Sequence, residues 1–298
     1  MKYNYVTNTK NLFENLNISS NYLKKSQKQK LKKQGYLIFE NSKFLKQNLG
    51  KLRKAVDTIK KKEGINGGWE GKEKYYKKGK LFERGAFRYG NLIEKNKIFA
   101  ELITIPEILA SAREVVQDEL KICGLNYREP LKNDGFQKIH VDWKPRKSLR
   151  EKFAGIVCMI YLDKASKING STRIIPGSHK KLGWPSKHID INKINNKEIR
   201  PSIKAGGIMI LNLNLWHAGS KNFKGLKRRT IMINIKSREF PQLLNYKKYL
   251  SKKTINKLNG EQKYLLAVRD NDKKQRENSV GVGKYYKKNF HFSKNLNH

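Results

Sequence analysis

Apolar residues recur along the chain at two different periods. Between residues 44 and 62 they return at steps of three and four, which places them on one face of a helix. The residues of this stripe are Leu45, Leu49, Leu52, Val56 and Ile59. A second stripe begins at Pro106, a residue favoured in a first helical turn, and predicts a helix over 106–120. A third, leucine-rich stripe predicts a helix over 242–268.

Between the second and third helices the period shortens to two, which is typical of strands. A short strand is also predicted earlier, over residues 35–39. The other predicted strands cover 121–127, 136–143, 154–162, 171–176, 207–214 and 229–236. Many short strands with glycine and proline turns favour a sandwich or a barrel. We therefore expect a mainly β protein with flanking helices and a β core at about 120–240.

The pattern predicts one domain over residues 31–270, because no composition break marks a second one. Residues 1–30 are polar and are expected to be irregular or weakly helical. Residues 65–95 are glycine-rich and basic, which fits a mobile active-site loop or a polar surface loop, and the second is commoner. Residues 271–298 form a basic, aromatic tail.

Composition excludes several classes of protein. The longest apolar run, Ile156 to Leu162, is far shorter than the roughly 20 residues of a membrane-spanning helix. Residues 1–5 lack the apolar block of a signal peptide, so we expect a cytoplasmic protein. Cys123 and Cys158 form no metal-binding or redox pair and are expected to be small buried residues.

The net charge of +41, from 66 basic and 25 acidic residues, has two explanations. Lysines interleaved with aromatic residues could bind nucleic acid through phosphate attraction and base stacking. These aromatic residues are Tyr75, Tyr76, Tyr285, Tyr286, Phe290 and Phe292. A genome rich in A and T would also load a solvated surface with lysine. We favour the second explanation, because the charge is spread along the chain and charge alone supplies no chemistry.

The candidate chemistry lies in His140-Val141-Asp142 and in His217. An extended chain repeats its side-chain direction every second residue, so His140 and Asp142 would project to one side. Two imidazoles and one carboxylate can occupy one face of an iron(II) ion and leave the opposite positions open. Taken singly, His140 also fits a surface loop, and His217 also fits a buried core histidine.

The wider context of these residues resembles one family. The run YLDKASKINGSTRIIPGSHK at 161–180 resembles the central signature of the phytanoyl-CoA dioxygenase family. AGGIMILNLNLWHAGSKN at 205–222 and RRTIMINI at 228–235 resemble its distal segment, and LKKQGYLIFENSKF at 31–44 its first strand. The resemblance reaches from about residue 30 to about 270. It implies a double-stranded β-helix (jelly-roll, cupin-like) core and dependence on Fe(II) and 2-oxoglutarate.

The resemblance implies a role for each matched residue. His140, Asp142 and His217 would ligate the iron. Arg228, eleven residues after His217, would hold the distal carboxylate of 2-oxoglutarate through paired hydrogen bonds. A shift of one position in the strand register would give that role to Arg229.

Other matched residues carry weaker expectations. Gln137 and Tyr127 are candidates for contacts with the cosubstrate, beside a purely structural role for each. Ser220 and Asn222 either support the site or are ordinary turn residues. His179 ends the run Pro-Gly-Ser-His, which is typical of a tight turn, and it is not assigned to the metal.

Two positions depart from the family pattern near the cosubstrate. The family often has Trp near the position of Met159, and Lys commonly precedes the proline matched by Pro130, where this chain has Glu129. Asp142 keeps the carboxylate that halogenating relatives replace with a small residue. Hydroxylation is therefore the expected chemistry.

The sequence thus predicts a dioxygenase that hydroxylates a small organic substrate and releases succinate and CO2. The surplus positive charge would suit an anionic substrate. Three alternatives stay open: a nucleic-acid-binding protein on a jelly-roll scaffold, an oxygenase acting on nucleic acid, and a cupin-like module without turnover. No pattern indicates an oligomeric state or a particular substrate.

Overall fold

Antiparallel strands form the centre of the protein in a computed structural model that describes residues 5–64, 76–77, 80–81, 85–269 and 272. Within these residues the strands are β1 (Tyr36–Phe39), β2 (Tyr76–Lys77), β3 (Lys80–Leu81), β4 (Ala86–Tyr89), β5 (Leu120–Pro130), β6 (Gly155–Tyr161), β7 (Thr172–Ile174), β8 (Ile208–Asn212), β9 (His217–Gly219) and β10 (Thr230–Ser237). Six of them form one sheet in the order β1-β8-β6-β10-β5-β4. The pairs β7–β9 and β2–β3 are separate.

The large sheet buries both of its faces. In β6, Ile156, Cys158 and Ile160 belong to an outer apolar cluster that the helices cover. The alternate residues Val157 and Met159 belong to an inner cluster on the opposite face. Because strand side chains alternate between faces, one strand supplies both clusters. The inner face and the β7–β9 pair enclose the interior of the β core.

The helices flank the outer face of the large sheet. Those in the described residues are α1 (Thr9–Asn15), α2 (Lys25–Gln34), α3 (Lys43–Glu63), α4 (Leu92–Lys95), α5 (Ile98–Glu101), α6 (Pro106–Val116), α7 (Tyr246–Tyr249), α8 (Lys252–Asn256) and α9 (Gly260–Leu266). Short 3-10 turns occur at Leu102–Thr104, Ser178–Lys180 and Pro185–Lys187. The predicted helix over 44–62 is confirmed by α3, whose apolar stripe is largely buried.

Two predicted helices differ in the structure. The helix predicted over 106–120 stops at Val116, because Gln117 adopts a left-handed conformation at φ 51° and Leu120 begins β5. The single helix predicted over 242–268 is wrong: the segment forms α7, α8 and α9. Asn245, Ser251 and Asn259 each accept a hydrogen bond from a backbone amide three residues later, so each begins a new helix.

The strand predicted over 136–143 is not a regular strand in the structure. Its only β-bridge pairs His140 with His217. The amides of Gln137, Ile139 and Asp142 donate to the carbonyl oxygens of three separate segments, at Gly219, Ile191 and Leu213. No single neighbour can therefore complete a ladder with this segment.

Two predicted loop regions contribute more structure than their sequence indicated. Residues 86–89, within the loop predicted over 65–95, form the edge strand β4. In the polar N-terminal segment, Val6, Leu12 and Phe13 are buried in the outer cluster. Of the six aromatic residues proposed for nucleic-acid stacking, Tyr76 lies in β2, and the other five lie outside the described residues.

The two cysteines have the environment that the sequence predicted. Cys123 and Cys158 are free and buried. Among the described residues, no helix has the length and apolar character needed to cross a membrane.

Candidate functional site

His140, Asp142 and His217 meet at one end of the β core. Reciprocal backbone hydrogen bonds of 3.0 and 3.1 Å hold His140 beside His217, the first residue of β9. Nε2 of His140 lies 3.7 Å from Oδ1 of Asp142, and Nε2 of His217 lies 3.6 Å from Oδ2. One possible ligand atom from each residue lies within 4.8 Å of the others. This spacing and this set of nitrogen and oxygen donors fit a divalent first-row metal ion such as iron(II).

Both imidazoles are oriented by carbonyl oxygens of their own segments. Nδ1 of His140 lies 2.9 Å from the carbonyl oxygen of Lys138, and Nδ1 of His217 lies 2.8 Å from that of Leu215. A carbonyl oxygen only accepts hydrogen bonds, so each Nδ1 carries the proton and donates it. The unprotonated Nε2 atoms therefore face Asp142 and can bind a metal.

The surroundings also keep His140 neutral. Burial within the protein, followed by the neighbouring His217, lowers the pKa of His140 to about 4. Part of the ring opens onto a cavity, yet the protein around it still disfavours the charged form. A neutral imidazole at physiological pH is the form that binds a metal.

A cavity of about 270 Å³ adjoins the triad. It lies between the inner face of the large sheet and the β7–β9 pair. Its polar and charged lining residues are Arg88, Asn126, Arg128, Gln137, His140, Asp142, Thr172, His217, Arg228, Thr230 and Asn234. Met159, Met232 and Leu243 contribute apolar surface. The metal ligands thus open onto a small space that polar, charged and apolar side chains line together.

The side chains of Arg228 and Arg229 lie in different environments. Arg228 lines the cavity, and its Nη1 donates to Oγ1 of Thr230 at 2.9 Å. Its Nε and Nη2 atoms are buried without a hydrogen-bond partner among the described residues. Burial lowers the pKa of this guanidinium, as expected for a charge removed from water. Such a group can receive a carboxylate, which supports the register that sequence spacing favours.

Arg229 points to the opposite face of the sheet. Its guanidinium contacts the carboxylates of Asp163 and Asp57 at 2.8 Å each. The residue is therefore part of a structural ion-pair network and does not reach the cavity.

Gln137 and Tyr127, the two weaker candidates, have different positions. Gln137 lines the cavity, and its Oε1 accepts a hydrogen bond from the amide of Gly219 at 3.0 Å. Tyr127 lies on the outer face of β5, stacked on Tyr89 at 5.3 Å. Its hydroxyl donates to Glu129 at 2.8 Å. Strand alternation thus directs Tyr127 away from the cavity, and a cosubstrate contact through it is not supported.

The two departures from the family pattern also lie on opposite faces. Met159 lines the cavity, as its matched position implied. Glu129 faces the helical layer, where Nζ of Lys60 lies 2.9 Å from its carboxylate. The acidic residue at position 129 therefore places no negative charge in the cavity.

The other residues that the sequence singled out do not line the cavity. Asn222 holds its own loop: its Nδ2 donates to the carbonyl oxygens of Pro130 and Leu226. Ser220 is buried but is not among the residues that line the cavity. His179 packs against Phe153 and lies away from the triad.

Arg88, Arg128 and Asn126 line the cavity and were missed by sequence reasoning. Asn126 and Arg128 share a face of β5, so the alternation around Tyr127 could have revealed them. Arg88 lies in β4, within a segment that was interpreted as a loop. The alternation of Phe87, Arg88 and Tyr89 is the one local signal of this strand, and it is too short to stand out in a glycine-rich region.

Two solved structures, of HygX and of SnoK, have folds similar to that of this chain. HygX from Streptomyces hygroscopicus, with nickel and 2-oxoglutarate bound, aligns with a TM-score of 0.57 and 15% identity over 73% of this chain and 88% of its own. SnoK, a non-heme alpha ketoglutarate dependent carbocyclase from nogalamycin biosynthesis, aligns with a TM-score of 0.56 and 14% identity over 74% and 86%. These similarities confirm the predicted jelly-roll core.

Curated relatives match at higher identity over a shorter span. The uncharacterized proteins Mb1539 of Mycobacterium bovis and Rv1501 of Mycobacterium tuberculosis are each 27% identical over 184 residues, or 59% of this chain. This chain spans 63% of the length of each relative.

The family comparison covers the site as well as the fold. The family model for phytanoyl-CoA dioxygenase (PhyH) matches residues 31–230, well over half of the chain. The matched range includes all three residues of the triad and Arg228. This chain belongs to the phytanoyl-CoA dioxygenase family of Fe(II)- and 2-oxoglutarate-dependent oxygenases.

Proposed function

We propose that this protein is a dioxygenase that uses Fe(II) and 2-oxoglutarate to hydroxylate a small organic substrate, releasing succinate and CO2. One observation carries the proposal. The three candidate metal ligands and Arg228, with two unpartnered nitrogen atoms, open onto the same cavity.

The protein would hold the metal on one side only. His140 and His217 would each offer Nε2, because their Nδ1 protons are committed to carbonyl oxygens. Asp142 would offer a carboxylate oxygen, and three protein ligands leave the other positions of the ion facing the cavity. His217 is nearly fully buried, whereas His140 and Asp142 are partly open to the cavity.

Arg228 would orient the cosubstrate. Its Nη1 is fixed by Thr230, while Nε and Nη2 are available to donate paired hydrogen bonds to a carboxylate. When bound, iron and 2-oxoglutarate supply the oxidising chemistry, which couples oxidative decarboxylation to hydroxylation of a C–H bond. The apolar walls at Met159 and Met232 would limit the access of water.

The cavity supports a small substrate and hydroxylation. Its volume of about 270 Å³ lies near the lower end of the range of small-molecule sites. HygX, whose fold is similar, has been solved with hygromycin B bound. Asp142 fills the ligand position that a halogenating enzyme would leave to a halide, so hydroxylation fits this triad best.

The test is formation of succinate from 2-oxoglutarate in the presence of Fe(II), ascorbate and oxygen, together with Ni(II) binding. We expect His140→Ala and Asp142→Ala to abolish succinate formation and to weaken metal binding. Asp190→Ala and His188→Ala are matched controls, since both residues lie at the surface outside the triad. Full turnover in either triad variant would disprove the assignment of the ligands.

A further inference from the structure

Two buried carboxamides, those of Asn126 and Asn234, line the cavity of the triad. Asn126 is 3% exposed and Asn234 is 9% exposed. Asn126 lies opposite Met232 in the pairing of β5 with β10, and Asn234 follows Met232 by two residues. Side chains in such diagonal positions share a face of the sheet, and their Cα atoms are roughly 7–8 Å apart. The two carboxamides are therefore close enough to contact one small ligand together.

The protein leaves hydrogen-bonding capacity unused at both positions. Oδ1 of Asn126 is buried without a hydrogen-bond partner among the described residues. In the same part of the chain, no residue makes a hydrogen bond with the side chain of Asn234. Buried polar side-chain atoms are hydrogen-bonded in most cases, and leaving one without a partner is costly. A ligand in the cavity would supply the missing partners.

Asn234 lies away from the end of the cavity that would hold the cosubstrate. Nη1 of Arg228 donates to Thr230, and Thr230, Met232 and Asn234 line the cavity in turn along β10. The strand advances about 13 Å from Thr230 to Asn234. 2-Oxoglutarate, with five carbon atoms joined by bonds of about 1.5 Å, is roughly half as long. A cosubstrate held by Arg228 would therefore end before Asn234 and leave this position to the substrate.

The residues beside Asn234 in the sheet carry no charge. Its partners across the sheet are Gly124 in β5 and Val157 in β6. Lys236, two residues further along β10, places Nζ 3.8 Å from the centroid of the Trp143 ring and is not among the residues that line the cavity. Recognition of a ligand at Asn234 therefore depends on hydrogen bonds.

A carboxamide both donates and accepts hydrogen bonds. A hydroxyl group and another amide have the same two capacities, whereas a carboxylate only accepts and an ammonium group only donates. Two neighbouring carboxamides are therefore satisfied best by an uncharged ligand that carries an amide or several hydroxyl groups.

We propose that Asn126 and Asn234 bind an uncharged group of the substrate that both donates and accepts hydrogen bonds, either an amide or neighbouring hydroxyls. This inference rests on the proposed function, because it assigns a substrate class to the same cavity. Arg228 would hold the cosubstrate at one end of the cavity wall, and Asn234 would hold the substrate at the other.

The full-length protein is first loaded with Ni(II) and 2-oxoglutarate, a form that cannot turn over. Propionamide, which carries an amide, and glycerol, which carries hydroxyls, are then titrated separately by calorimetry. We expect at least one of them to bind with a Kd of about 10 mM or tighter, a realistic affinity for so few atoms. Asn126→Leu and Asn234→Leu remove the carboxamide at similar volume and should each weaken that binding about tenfold or more. Their Kd for 2-oxoglutarate should stay within about threefold of the wild-type value.

Controls separate these amides from other causes of lost binding. Asn196→Leu makes the same change at an exposed position and should bind the probe as the wild type does. Propionate matches propionamide in shape but only accepts hydrogen bonds, so any binding of propionate should be the same in the Leu variants and the wild type. If a Leu variant does not fold, Asn126→Ala and Asn234→Ala remove the carboxamide without adding an apolar branch. The same loss of probe binding is expected in them.

Four results would overturn the inference. Binding of neither propionamide nor glycerol would do so, as would unchanged probe binding in either Leu variant. Loss of 2-oxoglutarate binding in a Leu variant would assign that amide to the cosubstrate instead. Propionate that binds more tightly than both uncharged probes, and that loses this binding in the Leu variants, would assign the two amides to an anion.

A wild-type protein that binds neither Ni(II) nor 2-oxoglutarate would refute the proposed function at the first step, and this inference with it. Normal loading of the wild type, followed by any of the four results above, would refute this inference alone.

Discussion

At the scale of single residues, two adjacent arginines just before β10 have different roles. Arg228 reaches the cavity, and Arg229 reaches two carboxylates on the outer face. The sequence predicts that only one of them can point inward, since strand side chains alternate. It could not fix the register, because Asp57 and Asp163, which hold Arg229, are distant along the chain.

This arrangement makes the two arginines matched controls for each other. Arg228→Gln should weaken binding of 2-oxoglutarate roughly 10- to 100-fold, because paired hydrogen bonds to a charged group are lost. Arg229→Gln should instead lower the free energy of unfolding by about 2 kcal/mol, since it leaves the Asp163 carboxylate half-buried without its main partner. Calorimetric titration of 2-oxoglutarate and chemical denaturation measure the two effects. The reverse pattern would mean that the strand register is shifted by one residue.

The buried imidazole of His179 should make the stability of the folded protein depend on pH. Burial lowers the pKa of its imidazole to about 4. Nε2 lies 3.2 Å from the carbonyl oxygen of Lys32, whereas Nδ1 is buried without a partner among the described residues and is packed close to Gly35. Protonation would place an unsatisfied donor at Nδ1. The folded protein therefore favours the neutral ring.

The resulting prediction concerns stability in mild acid. The unfolded chain binds the proton near pH 6.5 and the folded protein only near pH 4. The contribution of His179 is thus complete above about pH 6.5 and is lost as the pH falls toward 4. The loss amounts to roughly 3 kcal/mol.

A variant without a titratable side chain at position 179 separates the effect of His179 from the effects of other titrating groups. His179→Phe keeps a ring beside Phe153 and cannot bind a proton. Melting temperatures of both proteins should be compared between pH 7 and pH 4. The wild type should lose more stability than the variant over this range. Parallel curves would show that His179 does not titrate between these limits.

At the scale of elements, strands were predictable where both faces are apolar. All seven residues of β6 are buried, and the run of apolar residues shows this directly. The ligand segment at 136–143 was not predictable in the same way, because its amides bond to three separate segments. Hydrogen bonds to residues distant along the chain position this segment, and the local pattern of apolar residues does not reveal such partners.

A buried ion pair helps to position that segment. Nη1 of Arg173, in β7, lies 3.0 Å from both carboxylate oxygens of Glu198, and both side chains are almost completely buried. Nη2 of Arg173 donates to the carbonyl oxygen of Gln137 at 2.5 Å. Gln137 precedes His140 by three residues. Glu198 thus fixes the guanidinium that anchors the chain just before the ligands.

Glu198→Gln should therefore weaken metal binding, although Glu198 is not one of the three candidate ligands. The variant retains the shape of the side chain but leaves Arg173 as a buried charge without its carboxylate. We expect roughly 10- to 100-fold weaker Ni(II) binding, as found when groups that orient metal ligands are lost. The exposed Glu40→Gln serves as the control. Wild-type metal affinity in a folded, destabilised Glu198→Gln protein would show that the pair acts on stability alone.

At the scale of the whole molecule, the order of the motifs predicted more than any single motif. The sequence placed the triad and Arg228 on a β core, and the structure brings them to one cavity. The sequence did not reveal Arg88, since the strand that carries it lies in a glycine-rich, basic stretch. The polar character of residues 1–30 likewise hid the apolar contacts of Leu12 and Phe13.

The net charge of +41 leads to a prediction that belongs to the molecule as a whole. Salt weakens two opposing effects: repulsion among the surplus cations, and attraction within exposed ion pairs such as Lys10–Glu14 and Lys193–Asp190. Exposed pairs contribute at most about 1 kcal/mol each. Repulsion acts among many charges and destabilises the compact state. We therefore expect repulsion to dominate.

The melting temperature should rise by several degrees when the ionic strength increases from about 0.01 M to about 0.15 M, because the screening length falls from about 30 Å to about 8 Å. Differential scanning fluorimetry in NaCl measures this rise. Partial acetylation of lysines removes positive charge and should reduce the salt dependence. A melting temperature that falls with salt would mean that the ion pairs outweigh the repulsion. In that case the lysine-rich surface would be a stabilising network rather than a surplus of charge.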